Sequence, residues 1–280
     1  MTARPQTAEV AALSEAAYAR ISSLAKAEAG LVLPASKITM VQSRLRHRMT
    51  ALGLAAYDEY ADFVASKDGE TERRHMISAL TTNVSHFFRE NHHFEIFRDQ
   101  AIPALSAKAK DGLPVRIWSA GCSSGQEPYS IAMLLHSIAP DLAARDTLIL
   151  ATDIDPNILK KAEAGEYSEQ QIAGIPQDLR KKYLRQSNQG FTVDPSIKRL
   201  VRFRELNLLR EWPMKSRFDV IFCRNVVIYF DPATQARLWP RFHAALRPEG
   251  MLFVGHSERI APPESMGFRG DGPTCYRPLP

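Results

Sequence analysis

Residues 121–128 (GCSSGQEP) form the segment whose residue types have the clearest chemical use. Its small side chains would let a ligand approach the backbone closely. The segment is not a G-x-G-x-x-G pattern and no basic residue follows it, so a pyrophosphate cofactor is disfavoured. Its acid, Glu127, suits a cationic group instead. S-adenosylmethionine fits this chemistry because it carries both an ammonium and a sulfonium group.

A second acidic segment, ATDID at residues 151–155, follows an apolar run. The Asp153 carboxylate could accept hydrogen bonds from both hydroxyl groups of a ribose, as acids at this position do in dinucleotide-binding folds. Alternatively, Asp153 or Asp155 caps the helix that begins at Pro156. We assign the ribose contact to Asp153 and the helix cap to Asp155.

The elements that position these loops alternate between strand and helix. Apolar strand patterns at residues 115–120, 148–151, 218–223 and 251–255 are separated by helix patterns beginning at Pro128, Pro156 and Asp231. This alternation predicts an α/β domain with a doubly wound, mostly parallel sheet, in which ligands bind at the carboxyl ends of the strands. Between the second and third strands, residues 183–207 predict a small antiparallel β-subdomain.

The first 80 residues have almost no strand pattern and predict a small all-α domain. Apolar residues recur there at helical spacing, at Leu13, Ala17, Ile21 and Leu24 and again at Ile38, Val41, Leu45, Met49 and Leu52. The pattern changes after residues 81–83 (TTN). We therefore predict two domains, residues 1–80 and residues 81–280.

Composition restricts the class of protein. The chain has 280 residues, 45% of them hydrophobic, and a formal charge of +5, which does not by itself suggest nucleic-acid binding. Its three cysteines lack the spacing of a disulfide framework or a zinc site. No leader peptide and no apolar run of about 20 residues is evident. We expect a soluble, cytoplasmic protein without membrane insertion.

Six strings, in this order and spacing, resemble the CheR family of chemotaxis receptor methyltransferases over essentially the whole chain: TTNVSHFFRE, SAGCSSGQEPYSIA, ATDID, NLL, FDVIFCRNVVIYF and GHSE. The resemblance implies an S-adenosylmethionine domain with an inserted β-subdomain, preceded by a small helical domain. It also implies transfer of a methyl group from S-adenosylmethionine to glutamate side chains of chemoreceptors for sensory adaptation, with S-adenosylhomocysteine as product.

Position by position, the resemblance implies a cofactor pocket lined by Asn83, Ser85, Arg89, Glu127, Asp153, Asn207, Leu208, Arg224 and Asn225. Two positions depart from the family pattern. Ser85 stands where Thr is common, which keeps the hydroxyl group. Gln126 stands where an acid is frequent, which leaves Glu127 as the only anion of the loop.

The resemblance places Arg89 and Tyr229 beside the transferring methyl group. A glutamate carboxylate is already ionised near neutral pH, so no general base is required and positioning carries most of the rate. Arg89 could hold one substrate oxygen, and Tyr229 could orient the other or contact the sulfonium. Alternatively, Tyr229 is a core aromatic and Arg89 a solvated helix residue. His86, His92 and His93 do not form a metal site by spacing, so no metal is expected.

Two stretches are strongly basic. Residues 29–57 contain no acid, and the resemblance assigns receptor contact to Arg44, Arg46 and Arg48, although a solvated helix face would look the same. Residues 180–217 contain eleven Lys or Arg and three acids, a net +8. Part of the family binds a pentapeptide tether of the receptor on this subdomain, but residues 193–198 lack the glycines typical of such members. We therefore expect no dependence on a tether. We also expect no nucleic-acid binding, because stacking aromatic residues are sparse in residues 180–217.

Two other functions are compatible with parts of the sequence. Residues 121–125 match the G-x-S-x-G nucleophile elbow, and Asp219 and His256 follow Ser123 in the order of a serine hydrolase. No HGGG-like oxyanion segment accompanies them. The second is a non-catalytic signalling module that retains the fold, against which the presence of both Arg89 and Tyr229 argues.

Overall fold

The chain divides into two compact units, Met1–Thr82 and Asn83–Pro280. The computed structural model describes residues 12–188 and 190–280. Within those ranges, no helix combines the length and the apolar character needed to cross a membrane.

The described part of the N-terminal unit is all-α, as predicted. Its helices are α1 (Glu15–Ala29), α2 (Ile38–Leu52), α3 (Tyr57–Ala65) and α4 (Glu70–Leu80). Helix α1 begins after Ser14, whose hydroxyl accepts a hydrogen bond from the Ala17 N–H, and ends at Gly30 in the left-handed conformation. The apolar stripe of α2 is fully buried at Val41, Leu45 and Met49.

The C-terminal unit contains the predicted alternation of strands and helices. Its helices are α5 (Asn91–Ile96), α6 (Ile102–Lys110), α7 (Gln126–Ile138), α8 (Pro140–Ala144), α9 (Pro156–Ala164), α10 (Gln177–Tyr183), α11 (Pro195–Lys198) and α12 (Pro232–Ala245). Its strands are β1 (Val115–Ala120), β2 (Thr147–Asp153), β3 (Glu166–Tyr167), β4 (Leu184–Ser187), β5 (Gly190–Val193), β6 (Val201–Glu205), β7 (Phe218–Cys223), β8 (Leu246–Val254), β9 (Phe268–Gly270) and β10 (Cys275–Pro278).

Seven strands form one sheet in the order β6-β2-β1-β7-β8-β10-β9. The first five run parallel, and β10 is antiparallel to both of its neighbours. All six residues of β7 are buried, as expected for a central strand covered on both faces. This confirms the doubly wound, mostly parallel α/β prediction. It also brings the carboxyl ends of five strands to one edge of the sheet.

A small antiparallel sheet, in the order β3-β5-β4, lies apart from the main sheet. Its presence confirms the predicted insertion, but the prediction was wrong about the segment that follows β5. Strand β6 pairs in parallel with β2, and Val201 and Phe203 point into the main core. The alternating pattern of β6 suits an edge strand of either sheet, so periodicity alone could not assign it. Strand β3 lies outside the predicted range.

Candidate active site

The loop after β1 is held in a tight conformation beside β2. The N–H groups of Gly121 and Cys122 both donate to the Thr152 carbonyl, at 2.7 and 2.9 Å. Gly121 has a φ of +81°, and a Cβ atom there would lie 2.3 Å from a methyl group of Val226. Glycine is therefore required by both conformation and space, and the loop runs close against the segment after β7.

Asp153, at the end of β2, is 8% exposed. One carboxylate oxygen accepts the Ser123 N–H at 2.8 Å, and the other accepts the Asp155 N–H at 3.1 Å. Burial raises the pKa of Asp153 to about 6, and the two backbone hydrogen bonds offset only part of that effect. The carboxylate can accept hydrogen bonds beyond these two, which suits hydroxyl donors.

Asp155 caps α9, as predicted. Its carboxylate accepts the Asn157 N–H at 2.9 Å and the side-chain amide of Asn83, also at 2.9 Å. The Asn83 carbonyl accepts the Ser123 hydroxyl at 2.9 Å. Asn83 is thereby tied to both loops that flank Asp153.

Arg224 follows β7 and lies between two carboxylates. Its side chain is 2% exposed, and its guanidinium nitrogens lie 3.1 Å from Glu127 and 3.2 Å from Glu90. The same guanidinium donates to the Arg89 carbonyl, and Glu127 also accepts the Ser119 hydroxyl at 2.7 Å. Burial raises the pKa of Glu127 and the Arg224 charge opposes that rise. One guanidinium thus faces two carboxylates, so Arg224 does not fully neutralise either of them.

Glu90 is a member of this site that the sequence interpretation did not assign. It has a φ of +56°, an uncommon conformation for a residue with a side chain. Its carboxylate accepts from the His256 N–H at 3.1 Å, from His256 Nδ1 at 2.8 Å and from the Asn225 amide at 3.3 Å. Burial alone would raise the pKa of Glu90, but these hydrogen bonds and the Arg224 charge lower it to about 2. Its place next to Arg89 in the FFRE string was the available signal.

Glu258 is a second unassigned acid at this edge. It is 3% exposed, and its carboxylate accepts backbone N–H groups of Gly255, Asn225, Val226 and Ile228. It belongs to the GHSE string, which directly follows the β8 pattern. The string marked the position, but nothing in the sequence indicated what the carboxylate contacts.

The two residues predicted to act on the substrate lie on loops at the same edge. Arg89 donates to the Val84 carbonyl at 3.3 Å, its Nε lies 3.9 Å from Glu90, and its side chain is 32% exposed. Tyr229 ends a short 3-10 helix, Val227–Tyr229, and is half-buried. Both side chains are therefore partly accessible, whereas Arg224 is enclosed.

The remaining predicted pocket residues also lie at the carboxyl edge. Ser85 is half-buried between Asn83 and Arg89. Asn207 and the buried Leu208 directly follow Leu206, whose N–H donates to the Asp153 carbonyl at 2.9 Å. Hydrogen bonds and ion pairs thus connect Asn83, Asp153 and the 121–127 loop, and likewise Arg89, Glu127, Arg224 and Asn225.

The basic residues of α2 are partly engaged inside the N-terminal unit. Arg44 donates to the carbonyls of Leu80 and Thr81, at 2.8 and 2.9 Å. Arg48 forms two hydrogen bonds, 2.9 and 2.6 Å, with the buried carboxylate of Glu72. Arg46 is exposed. Two of the three predicted docking residues therefore stabilise their own unit.

The serine-hydrolase interpretation does not fit the geometry. Asp219 lies near the amino end of β7, where it pairs with Lys108 and Arg247. Ser123 lies at the carboxyl edge and donates to Asn83, and His256 pairs with Glu90. The three residues do not form a triad. Across residues 12–188 and 190–280, no cluster of His, Cys, Asp or Glu is arranged to hold a metal.

Comparison with known proteins identifies the family. Residues 83–269 match the model of the CheR methyltransferase SAM binding domain, and residues 16–81 match that of the CheR methyltransferase all-alpha domain. The chain belongs to the CheR methyltransferase family. This CheR methyltransferase is 48% identical over 254 residues to a probable chemotaxis protein methyltransferase of Rhizobium etli, covering 89% of this chain and 95% of the relative. It is 39% identical over 276 residues to the chemotaxis protein methyltransferase of Escherichia coli, covering 97% and 93%.

These matches confirm the family resemblance and make this CheR methyltransferase an S-adenosylmethionine-dependent enzyme of chemotaxis. The residues present fit that cofactor. Asp153 offers acceptors for a ribose, and the Glu127 carboxylate, which shares Arg224 with Glu90, suits a cationic group. The loop that carries Glu127 has no Lys or Arg with which to hold a pyrophosphate.

Proposed function

We propose that this CheR methyltransferase methylates glutamate side chains of chemoreceptors, the methyl-accepting chemotaxis proteins. The observation that carries the proposal is the position of Arg89. Arg224 is enclosed between Glu127 and Glu90, whereas the guanidinium of Arg89 is partly exposed beside Glu90. A cation there can receive an anionic substrate group that the surrounding carboxylates would repel.

The bound cofactor supplies an electrophilic methyl group on a positively charged sulfur. Asp153 would hold its ribose hydroxyls, and Glu127 its ammonium group. Asn83, Ser85, Asn207, Leu208, Arg224 and Asn225 complete the proposed pocket. Arg224 has a second task, because it neutralises part of the charge of Glu127 and Glu90 and so keeps both carboxylates in place.

Arg89 and Tyr229 are the proposed catalytic residues. The substrate glutamate is ionised near neutral pH, so the protein has no proton to remove. Arg89 would hold one carboxylate oxygen through charge-assisted hydrogen bonds, and Tyr229 would orient the other. Their task is to align the nucleophile and to replace its water shell.

The proposed organisation assigns docking to residues 1–80 and chemistry to residues 81–280. Chemoreceptor helices rich in Glu would approach the basic helix α2, where we propose contact through Arg44, Arg46 and Arg48. Because Arg44 and Arg48 already hold partners within the unit, Arg46 is the most available of the three.

We further propose that no receptor tether is required. Residues 195–198 form a helical turn capped by Asp194 and contain none of the extra glycines that tether-binding members tend to carry in a loop of this subdomain. We place the reaction in the cytoplasm, since Cys122, Cys223 and Cys275 are unpaired thiols, as a reducing compartment would keep them.

Transfer of labelled methyl from S-adenosylmethionine to a purified chemoreceptor fragment tests the proposal. The expected product is a methyl ester, which mild base hydrolyses with release of labelled methanol. A fragment with its acceptor glutamates changed to alanine is the control. A base-stable product, or equal labelling of the control fragment, would contradict the assignment to glutamate.

A further inference from the structure

We propose that Glu258 is a positioning residue for methyl transfer, because its carboxylate fixes the backbone of the 224–229 loop that carries Asn225 and Tyr229. The inference extends the proposed function and rests on it for the identity of the methyl acceptor and for the role of Tyr229. Glu258 itself is enclosed, so it acts through the loop and does not touch the substrate.

Each oxygen of the Glu258 carboxylate accepts two backbone N–H groups. One oxygen accepts from Val226 at 2.8 Å and Ile228 at 3.2 Å. The other accepts from Asn225 at 2.8 Å and Gly255 at 2.6 Å. In the part of the chain that the structure describes, Glu258 has no cationic partner. Burial raises the pKa of its carboxyl group, and the four backbone N–H groups oppose that rise.

The loop needs such an acceptor because its backbone is irregular. Asn225 has a φ of +58°, which turns the chain sharply after β7. The following residues form only a single 3-10 turn, Val227–Tyr229. The N–H groups of Asn225 and Val226 before this turn and of Ile228 within it have no acceptor in a regular helix or strand. Glu258 accepts all three.

Gly255 provides an independent sign that this contact is closely fitted. A Cβ atom at Gly255 would lie 2.6 Å from the Asn225 side-chain nitrogen, 2.8 Å from the Asn225 backbone nitrogen and 2.8 Å from Glu258 Oε2. The end of β8 therefore approaches the loop as closely as a residue without a side chain permits. Gly255→Ala would displace the loop while leaving the carboxylate chemically intact.

The position of the loop affects two residues with proposed roles in the reaction, Asn225 and Tyr229. The Asn225 amide donates to Glu90, which connects it to the Arg224 cluster. Tyr229 lies four residues further on, at the end of the turn that the Glu258 contacts begin. Arg89 is anchored by the Val84 carbonyl and by the Arg224 contact with its own carbonyl, so a shift of residues 226–229 would move Tyr229 relative to Arg89.

Glu258→Gln tests the inference because a glutamine side chain has the size of glutamate but lacks one of its two acceptor oxygens. A glutamine has one acceptor oxygen, and its NH₂ group would face two N–H donors in either orientation. Glu249→Gln makes the same chemical change at an exposed position of β8 and is the matched control. Gly255→Ala serves as a second variant, and both test variants are compared with wild type by amide hydrogen exchange, S-adenosylhomocysteine affinity and single-turnover rate.

We expect Glu258→Gln and Gly255→Ala to speed exchange at the amides of residues 225, 226 and 228 and to lower the single-turnover rate at least tenfold. The decisive measurement repeats Glu258→Gln in a Tyr229→Phe background. If Glu258 acts through Tyr229, its effect on the rate shrinks there. The same fold-loss in both backgrounds, or wild-type exchange and rate in Glu258→Gln, would overturn the inference.

A failure of the proposed function can be distinguished from a failure of the role proposed for Glu258. If wild type does not methylate receptor fragments, amide exchange and S-adenosylhomocysteine affinity still decide whether Glu258 holds the loop. Faster exchange together with weaker binding supports the positioning role. Unchanged values in both variants refute it.

Discussion

Affinity for S-adenosylhomocysteine should fall as the pH is lowered from 7 to 5, and Asp153 should be the cause. Burial raises the pKa of Asp153 to about 6 in the free protein. Above that pH the carboxylate is ionised and can accept ribose hydroxyls. Below it the group takes up a proton and loses both its charge and part of its acceptor capacity.

The magnitude follows from one linked proton. With a pKa of about 6, affinity at pH 5 should be about tenfold weaker than at pH 7, or about 1.4 kcal/mol. Asp153→Ala should weaken binding at pH 7 by about 1.5 to 3 kcal/mol, the range for hydrogen bonds to a charged group. The contribution of Asp153 to folding has the opposite sign. A raised carboxyl pKa favours the folded state at low pH, and this contribution is lost as the pH rises through about 6.

Isothermal titration calorimetry between pH 5 and pH 7 measures the effect. S-adenosylhomocysteine is the appropriate ligand because its sulfur is uncharged. Asp153→Asn should remove the pH dependence, whereas His256→Asn, which changes an exposed group of the same edge, should retain it. An affinity that is constant over this range, or a pH dependence that persists in Asp153→Asn, would refute the ribose assignment.

Three further predictions concern the other parts of the protein. Arg89→Ala and Tyr229→Phe should lower the single-turnover rate more than they weaken S-adenosylhomocysteine binding, and the loss of rate should be larger for Arg89→Ala. At saturating cofactor, the rate should not follow a pKa near 6.5 between pH 6 and 9. Normal rates in both variants would exclude these roles. Arg46→Ala should raise KM for the receptor, an effect that high salt mimics in wild type. Arg48→Ala should lower the stability of the N-terminal unit by about 3 to 5 kcal/mol, because it leaves the buried Glu72 carboxylate without a cationic partner and with only the Tyr60 hydroxyl as a donor. Receptor kinetics and thermal unfolding separate the two effects. A fluorophosphonate probe should not label Ser123, and labelling would support the serine-hydrolase interpretation.

The buried strands were the most predictable part of the fold. Short, largely apolar segments at β1 (VRIWSA) and β7 (FDVIFC) predicted strands with the observed bounds, because a central parallel strand is covered on both faces. The cap at Asp155 followed from its position before Pro156. Strand β6 could not be assigned, since an alternating edge strand suits either sheet and only the register with β2 distinguishes them.

The residues of the site were predictable by type but not by contact. Glu127 and Asp153 stood out as acids following strand patterns. Glu90 and Glu258 did not, because their importance depends on loops brought together from distant parts of the chain. Likewise, the helical pattern placed Arg48 on a flank of α2, but only the packing of α4 supplies Glu72 as its partner.

The proposed formation of glutamate methyl esters on chemoreceptors is tested most directly by single-turnover transfer of labelled methyl to a receptor fragment, followed by mild alkaline hydrolysis. We expect the label to be incorporated into the fragment, to be released as methanol by base, and to be lost when the acceptor glutamates are replaced. Absence of label from every receptor fragment, despite binding of S-adenosylhomocysteine, or label that survives base, would contradict it.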